Sequence, residues 1–226
     1  MNFSSKLVIV GSHNFPIHEN CMKYFKDTLQ ELRWDDHRYY HHSRVNQSLH
    51  LFSALSFLVA YVVMFFDPIM ATLIGWLIAM SLRQAGHFFF EPKGFDVINQ
   101  ATHEYKESIK VGYNLRRKVM LYCVWIVIPI IAKFSPEYLN WLVPETYQGD
   151  YWSVLGASWL ILGVTGLLFR VVQLWWQQNL SVGLIWMIKI LTDPFHDVIL
   201  YHKAPIFLLK GQWLDPMTHV NSDHSS

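Results

Sequence analysis

The stretch His50–Glu91, HLFSALSFLVAYVVMFFDPIMATLIGWLIAMSLRQAGHFFFE, decides the fold of this chain. It holds two apolar runs separated by one turn at Asp67-Pro68. His50 lies 17 residues before Asp67, and His87 lies 19 residues after Pro68. At about 1.5 Å rise per helical residue, each arm is roughly 25–28 Å long. A helical hairpin would therefore bring both imidazoles to the same end and the same depth.

The composition favours a membrane protein. Of the 226 residues, 52% are hydrophobic and only 15% are charged, whereas charged residues make up about a quarter of a typical soluble protein. The net charge of +1 and the lack of a basic stripe argue against a nucleic-acid partner. The length suits one domain. We therefore expect a single all-α, multi-pass membrane domain spanning residues 1–226.

Four apolar segments are near the length needed to cross roughly 30 Å of hydrocarbon. They cover residues 50–66, 68–90, 119–134 and 152–169. Pro129 is expected to kink the third of them. The following stretch, 171–191, is interrupted by polar residues and contains Lys189. For that stretch we expect a fifth helix that is interfacial or tilted, not a clear span.

The charge distribution predicts an orientation. The apolar residues of 17–34 have the spacing of an amphipathic helix. Arg and Lys are frequent in the sequence before the first span. The 83–118 segment is also basic, whereas the loop between the third and fourth spans is acidic. By the positive-inside rule, the N-terminus and the 83–118 segment are cytosolic. If 171–191 does not cross, residues 193–226 form a cytosolic tail, and the histidines can share one face.

The first group of candidate metal ligands precedes the first span. His42 and His50 would be about 12 Å apart along a single straight helix, too far to bind one metal ion. Ser43 resolves this difficulty as a helix N-cap, which leaves His41 and His42 on a lead-in that can fold back. One of these two is expected to be a ligand. Asn46 shares a helix face with His50.

The second group closes the second span. His87 and Glu91 are four residues apart and share a helix face, so Glu91 could bind the metal or orient His87. Gly86 would let another helix or a substrate chain approach closely. Pro92 marks the expected end of the helix.

Two further groups are less specific. His103 and Glu107 form another pair at helical spacing, and His103 is a candidate ligand, although a zinc-protease motif would need a second histidine in place of Glu107. Farther along, Asp193-Pro-Phe-His196-Asp197 contains a proline that suggests a loop or a helix start. For His196 we expect a structural role.

The first two groups together resemble the Mpo-type family of integral membrane dioxygenases, found in the fungal endoplasmic reticulum and in many bacteria. The matching residues are Tyr40, His41, His42, Asn46 and His50, then Gln84, Gly86, His87, Phe90 and Glu91. The resemblance covers roughly residues 38–91. Where the family often has Asn-Pro after the histidine pair, this chain has Ser43-Arg44, and the sequence after Glu91 also differs.

The resemblance implies an Fe(II)-dependent enzyme that shortens long-chain 2-hydroxy fatty acids by one carbon, using molecular oxygen. It implies metal ligation by His42, His50 and His87, supported by Glu91 and Asn46. The location implied is the endoplasmic reticulum in a eukaryote or the inner membrane in a bacterium. The fourth candidate ligand, His103, comes from spacing alone.

Other interpretations of the residues remain open. One keeps the metal and changes the chemistry, to a zinc hydrolase or a di-metal lipid hydroxylase. Another is a non-enzymatic transporter subunit or scaffold with structural histidines. Several cations could hold a substrate carboxylate, and the sequence does not choose among Arg83, Lys106, Lys110 and Arg116. Chain-length preference is also open, and an oligomer is possible.

Overall fold

The computed structural model describes residues 17–91, 94–97, 99–109 and 115–217. Within these ranges the chain forms helices and no strand, as expected. The helices are α1 (Ile17–Tyr40), α2 (Arg44–Val63), α3 (Pro68–Phe89), α4 (His103–Ile109), α5 (Leu115–Phe134), α6 (Glu137–Asn140), α7 (Tyr151–Gln177), α8 (Leu180–Tyr201) and α9 (Ala204–Leu209), with a 3-10 turn at Glu145–Tyr147. The end of the expected tail, residues 218–226, lies outside the described residues.

Helices α2 and α3 form the hairpin that the sequence predicts. The Ser43 side chain caps α2 by accepting a hydrogen bond from the backbone N–H of Asn46 at 3.4 Å. Asp67 caps α3 in the same way, accepting from the backbone N–H of Met70 at 2.9 Å. Pro68 follows it at the first helical position, where a missing N–H costs nothing.

The middle of α3 is wound as a π-helix over Ile74–Met80. Beside it, the buried Ser53 hydroxyl of α2 donates a hydrogen bond to the carbonyl of Ala79 at 2.7 Å. A π-helical turn accommodates extra residues and so changes the face that the following residues present. The segment therefore contributes to the register with which the last turns of α3 meet α2.

Three described helices, α2, α3 and α7, are long and apolar enough to cross a membrane. The sequence predicted four spans, and the discrepancy is the 119–134 segment. Helix α5 begins with Leu-Arg-Arg-Lys and keeps only Tyr122–Phe134 as an apolar helix. That segment is shorter than the roughly 20 residues that a span requires.

The boundary between α7 and α8 also differs from the prediction. Helix α7 continues past Phe169 to Gln177, and Arg170 donates a hydrogen bond to Gln173 on its surface at 2.6 Å. Exposed polar side chains at helical spacing do not end a helix. The break comes at Asn179, whose side chain caps α8. Helix α8 then includes Pro194, so the beginning of the expected tail is helical.

Helix α8 has one buried face, and its other face, which includes Phe195 and Ile199, is exposed. Its three buried charged residues are Lys189, Asp193 and Asp197. It packs on α2 and α7. His50 faces Asp197, and the Tyr61 hydroxyl donates a hydrogen bond to the carbonyl of Leu191 at 3.0 Å. Because the residue numbers run oppositely across these contacts, α8 is antiparallel to α2 and brings its final turns to the histidine end of the hairpin.

Helix α1 is longer than the predicted 17–34. It extends to Tyr40, and its last turns bury His37, Tyr39 and Tyr40. Packing of these side chains continues the helix after its amphipathic pattern has ended. The end of α1 therefore places the His41-His42 pair at the end of the hairpin where α2 begins and α3 ends.

Candidate metal centre

Three imidazoles meet where α1, α2 and α3 come together. They belong to His41 in the α1–α2 connection, His50 in α2 and His87 near the end of α3. One ring nitrogen from each lies within 4.8 Å of the other two. His41 and His50 are buried, and His87 is partly buried. The predicted meeting of His50 and His87 is confirmed, with ring centroids 4.8 Å apart.

Gly86 makes this close meeting of α2 and α3 possible. A Cβ atom at that position would lie 2.2 Å from Oδ1 of Asn46 and 3.4 Å from Cδ2 of His50. Real Cβ atoms do not approach a neighbour as closely as 2.2 Å. The predicted role of this glycine in allowing a helix to approach is therefore confirmed, and the neighbour is α2.

Each imidazole has an oxygen beside its Nδ1 atom. The Tyr201 hydroxyl lies 2.7 Å from Nδ1 of His41, and Oε2 of Glu91 lies 3.0 Å from Nδ1 of His87. At His50 the oxygen is Oδ2 of Asp197, at 3.6 Å from Nδ1. Metal-binding histidines commonly donate one N–H to a carboxylate or another oxygen and bind through the second nitrogen. In this arrangement the rings of His41 and His87 would offer Nε2.

Two of these rings carry buried nitrogen atoms without a hydrogen-bond partner. They are Nε2 of His41 and both ring nitrogens of His50. Buried polar atoms without a partner are uncommon and costly, since such groups lose their contacts with water. Burial, followed by the nearby His50 and His87, lowers the pKa of His41 well below its ordinary value. The ring is therefore held in the neutral form that binds metals.

The donor set fits a divalent metal ion. A metal–nitrogen bond is about 2.1 Å, so two nitrogens on one ion lie at most about 4.2 Å apart. The 4.8 Å limit on the three nitrogens is only slightly larger, and small ring rotations would close the difference. Three neutral imidazoles with open positions suit zinc or non-haem iron. The arrangement does not choose between these metals.

The structure places His41 in the cluster, whereas the resemblance pointed to His42. Nε2 of His42 is in contact with the Arg38 carbonyl and lies 3.5 Å from Oδ2 of Asp96. Adjacent residues in a capped connection point in different directions, and the fold of α1 against α8 turns His41 toward the hairpin. The residues alone had left this choice open.

The other predicted site residues occupy distinct positions. Glu91 is buried and paired with His87. Asn46 donates from Nδ2 to the Tyr40 carbonyl at 2.9 Å, and its Oδ1 atom faces Gly86. His103 begins α4 and is partly buried, but it is outside the three-histidine group found among the described residues.

Sequence reasoning missed two residues of the site, Asp197 and Tyr201. Together with Lys189 and Asp193, they recur every four residues along α8, which is the spacing of one helix face. This periodicity was the available signal. Pro194 obscured it, because a proline at that point suggested a loop.

A cleft opens beside the cluster. The free space within it is about 10 Å³, room for roughly one water molecule. The residues that line it are Arg33, Asp36, His41, Arg83, Lys189, Asp193, His196, Asp197, Leu200 and Tyr201. Nearly all of them are polar, and His41 connects the cleft to the three imidazoles. This small cleft therefore adjoins the centre at His41.

Comparison with protein-family models, with curated proteins and with solved structures gives no match for this chain. The class of protein is therefore described from the fold and from the geometry of the site. It is an all-α protein with three helices of membrane-spanning length and a three-histidine cluster, two of whose members are buried, that could bind a metal ion.

Proposed function

We propose that this protein is an Fe(II)-dependent membrane dioxygenase that shortens 2-hydroxy fatty acids by one carbon. The observation that carries the proposal is the cluster of His41, His50 and His87, in which buried ring nitrogens of His41 and His50 have no hydrogen-bond partner. The resemblance over residues 38–91 adds the choice of metal and reaction.

In this proposal His41, His50 and His87 hold the iron through Nε2. Glu91 and Tyr201 fix the orientation of two of these rings through their Nδ1 atoms. Three protein ligands leave open positions on an ion of ordinary coordination number. Bound iron would supply the site at which molecular oxygen and the substrate carboxylate and hydroxyl come together for cleavage of the C1–C2 bond.

The protein contributes position and protection from water. Asn46 keeps the beginning of α2 against the end of α1 through its bond to the Tyr40 carbonyl. Burial of His41 and His50 keeps bulk water from these ligands. The apolar faces of α2, α3 and α7 would lie in the bilayer, so that an acyl chain could reach the centre from the lipid. We place the centre at the cytosolic membrane boundary, following the distribution of Lys and Arg.

Metal analysis of the purified protein tests the first step of the proposal. Iron at one ion per chain, lost in His50→Ala and in His87→Ala, is the expected result. Anaerobic loading with Fe(II), followed by oxygen and a 2-hydroxy fatty acid, should then give the acid that is one carbon shorter. A folded protein that binds no metal under these conditions would refute the proposal.

Zinc is the second candidate, because three histidines with an open position are also the donor set of catalytic zinc sites. Stoichiometric zinc, with no product from the hydroxy acid after iron loading, would favour a lipid hydrolase. The same purified protein and the same two variants therefore separate the two functions.

A further inference from the structure

Arg83 lies one helical turn before His87 on α3 and lines the cleft beside His41. Residues four apart share a helix face, so the guanidinium and the imidazole of His87 are on the same side of α3. Asp197 links Arg83 to the centre from the opposite side, since its Oδ2 atom lies 3.2 Å from Arg83 and 3.6 Å from His50. Arg83 is therefore a neighbour of the candidate metal centre.

The other cations of the cleft are held by short bonds. Nζ of Lys189 donates to Asp36 at 2.5 Å and to Asp193 at 2.7 Å. Arg33 donates to the Thr192 hydroxyl at 2.7 Å and to Asp193 at 3.3 Å. These bonds tie α1 to α8, which is a structural role.

Arg83 makes fewer hydrogen bonds to its neighbours than Lys189 and Arg33 do. Its ion pairs are at 3.2 Å with Asp197 and at 4.0 Å with Asp193, and neither pair has hydrogen-bond geometry among the described residues. Asp193 is already bonded to Lys189. The Arg83 side chain remains 21% exposed, in a wall of the cleft. An arginine in this state has N–H donors to offer to a ligand.

With a divalent ion bound, the charges around the centre would favour an anionic ligand. The cleft is lined by three cations, Arg33, Arg83 and Lys189, and by three carboxylates, Asp36, Asp193 and Asp197. Glu91 adds a fourth carboxylate behind His87. A divalent ion on the three imidazoles would give five positive charges against four negative ones. One carboxylate entering the cleft would balance the remaining charge.

Lys106, the other described candidate for binding a carboxylate, is occupied elsewhere. It is buried, with Nζ 3.7 Å from Asp96 and 3.4 Å from the Tyr39 carbonyl. It is also absent from the lining of the cleft. Lys110 lies outside the described residues, and the structure does not describe the side chain of Arg116.

We infer that Arg83 binds the carboxylate of the substrate and so selects acids over neutral lipids. The inference rests on the proposed function for the identity of the acid. A planar guanidinium can donate two parallel N–H bonds to a carboxylate, a geometry that a lysine cannot reproduce. The substrate carboxylate would take over the contact that Arg83 now makes loosely with Asp193.

Ligand binding tests this inference without relying on turnover. The purified protein, reconstituted in nanodiscs and loaded with Co(II), is titrated with 2-hydroxyoctanoate and with 1,2-octanediol, which lacks the carboxylate. The wild-type protein should bind the acid more tightly than the diol. In Arg83→Gln the affinity for the acid should fall roughly 10- to 100-fold, as expected for the loss of charge-assisted hydrogen bonds, with diol affinity unchanged. Arg83→Lys should recover only part of the loss.

Arg33→Gln is the matched control, because it removes the same charge from the same cleft. It should reduce the affinity for the acid much less than Arg83→Gln does. Equal losses in the two variants, or unchanged acid affinity in a folded and metal-loaded Arg83→Gln protein, would overturn the inference. Equal affinity of the wild-type protein for acid and diol would also overturn it. Selective acid binding that depends on Arg83 but yields no shortened product with iron and oxygen would support the inference and refute the proposed function.

Discussion

At the scale of single residues, the centre depends on which nitrogen each histidine presents. His41 and His87 each have an oxygen within hydrogen-bond distance of Nδ1, which leaves Nε2 for a metal ion, and Oδ2 of Asp197 lies 3.6 Å from Nδ1 of His50. His42, the next residue along the chain, is turned toward Asp96 instead. Neighbouring residues of the same type thus have different environments, and substitution can separate their roles.

The adjacent pair gives a direct comparison. We expect His41→Ala to lose bound metal, because it removes one of three ligands, whereas His42→Ala should keep it. The measurement is metal content per chain after purification and dialysis. Metal retained in His41→Ala and lost in His42→Ala would instead support the ligand set implied by the family resemblance.

Glu91 gives a second prediction at this scale. Its carboxylate holds Nδ1 of His87 at 3.0 Å, and loss of such an outer partner weakens metal binding by roughly 10- to 100-fold. We expect this reduction in Glu91→Gln, measured by competition with a chelator. Glu104→Gln, at an exposed position on α4, is the control and should bind metal as the wild type does. Equal metal affinities in the wild type, Glu91→Gln and Glu104→Gln would contradict the role assigned to Glu91.

At the scale of helices, the site requires the close approach of α2 and α3 and a fixed connection before α2. Gly86 provides the approach. The connection is held by the segment after α9, where Asp215 meets both Arg44 and Gln47. Asp215 is far in sequence from His41 and His50, whereas Arg44 and Gln47 lie between these two histidines.

Gly86→Ala should disrupt the contact between α2 and α3. The added methyl group would displace the Asn46 amide, which is fixed by its own bond to Tyr40. We expect a destabilisation of about 1–3 kcal/mol, seen as a lower unfolding temperature, together with weaker metal binding. Gly166→Ala on α7 meets open space and should not lower stability. Similar losses of stability in Gly86→Ala and Gly166→Ala would argue against a specific contact at Gly86.

Asp215 should affect the centre through the position of His41. Its Oδ2 atom accepts from Gln47 at 2.8 Å, and Gln47 also donates to the His41 carbonyl at 2.7 Å. We expect Asp215→Asn to weaken both stability and metal affinity. Asp150→Ala, which removes the cap of α7, should reduce stability alone. Unchanged metal affinity in Asp215→Asn would show that the contact of Asp215 with Gln47 does not position His41.

At the scale of the whole molecule, the hairpin separates the histidine end from the turn at Asp67 by the length of α2. If α2 and α3 cross a membrane, the two ends face opposite compartments. The exposed positions Phe66, near the turn, and Leu209, in α9 near the histidine end, are suitable markers. The proposed cytosolic location of the centre can therefore be tested chemically.

We expect Leu209→Cys to react with a membrane-impermeant maleimide from the cytosolic side, and Phe66→Cys only from the other side. Both variants are made in a protein whose own cysteines are replaced by serine. Sealed vesicles of known orientation are labelled before and after permeabilisation. Labelling of both positions from one side would refute the crossing of the α2–α3 hairpin.

The sequence by itself determined the hairpin, the Ser43 cap of its first helix and the meeting of His50 with His87. These features depend on local rules, namely apolar periodicity, capping residues and equal arm lengths about one turn. The pairing of His87 with Glu91 followed for the same reason, since residues four apart on a helix are always neighbours.

Only the tertiary structure decided between His41 and His42 and brought Asp197, Tyr201 and Arg83 to the centre. It also reduced the expected spans from four to three and extended α8 through Pro194. The arrangement of the side chains at the centre depends on how α1 and α8 pack against the hairpin. Contacts between residues about 160 positions apart, such as that of His41 with Tyr201, have no local signal in the sequence.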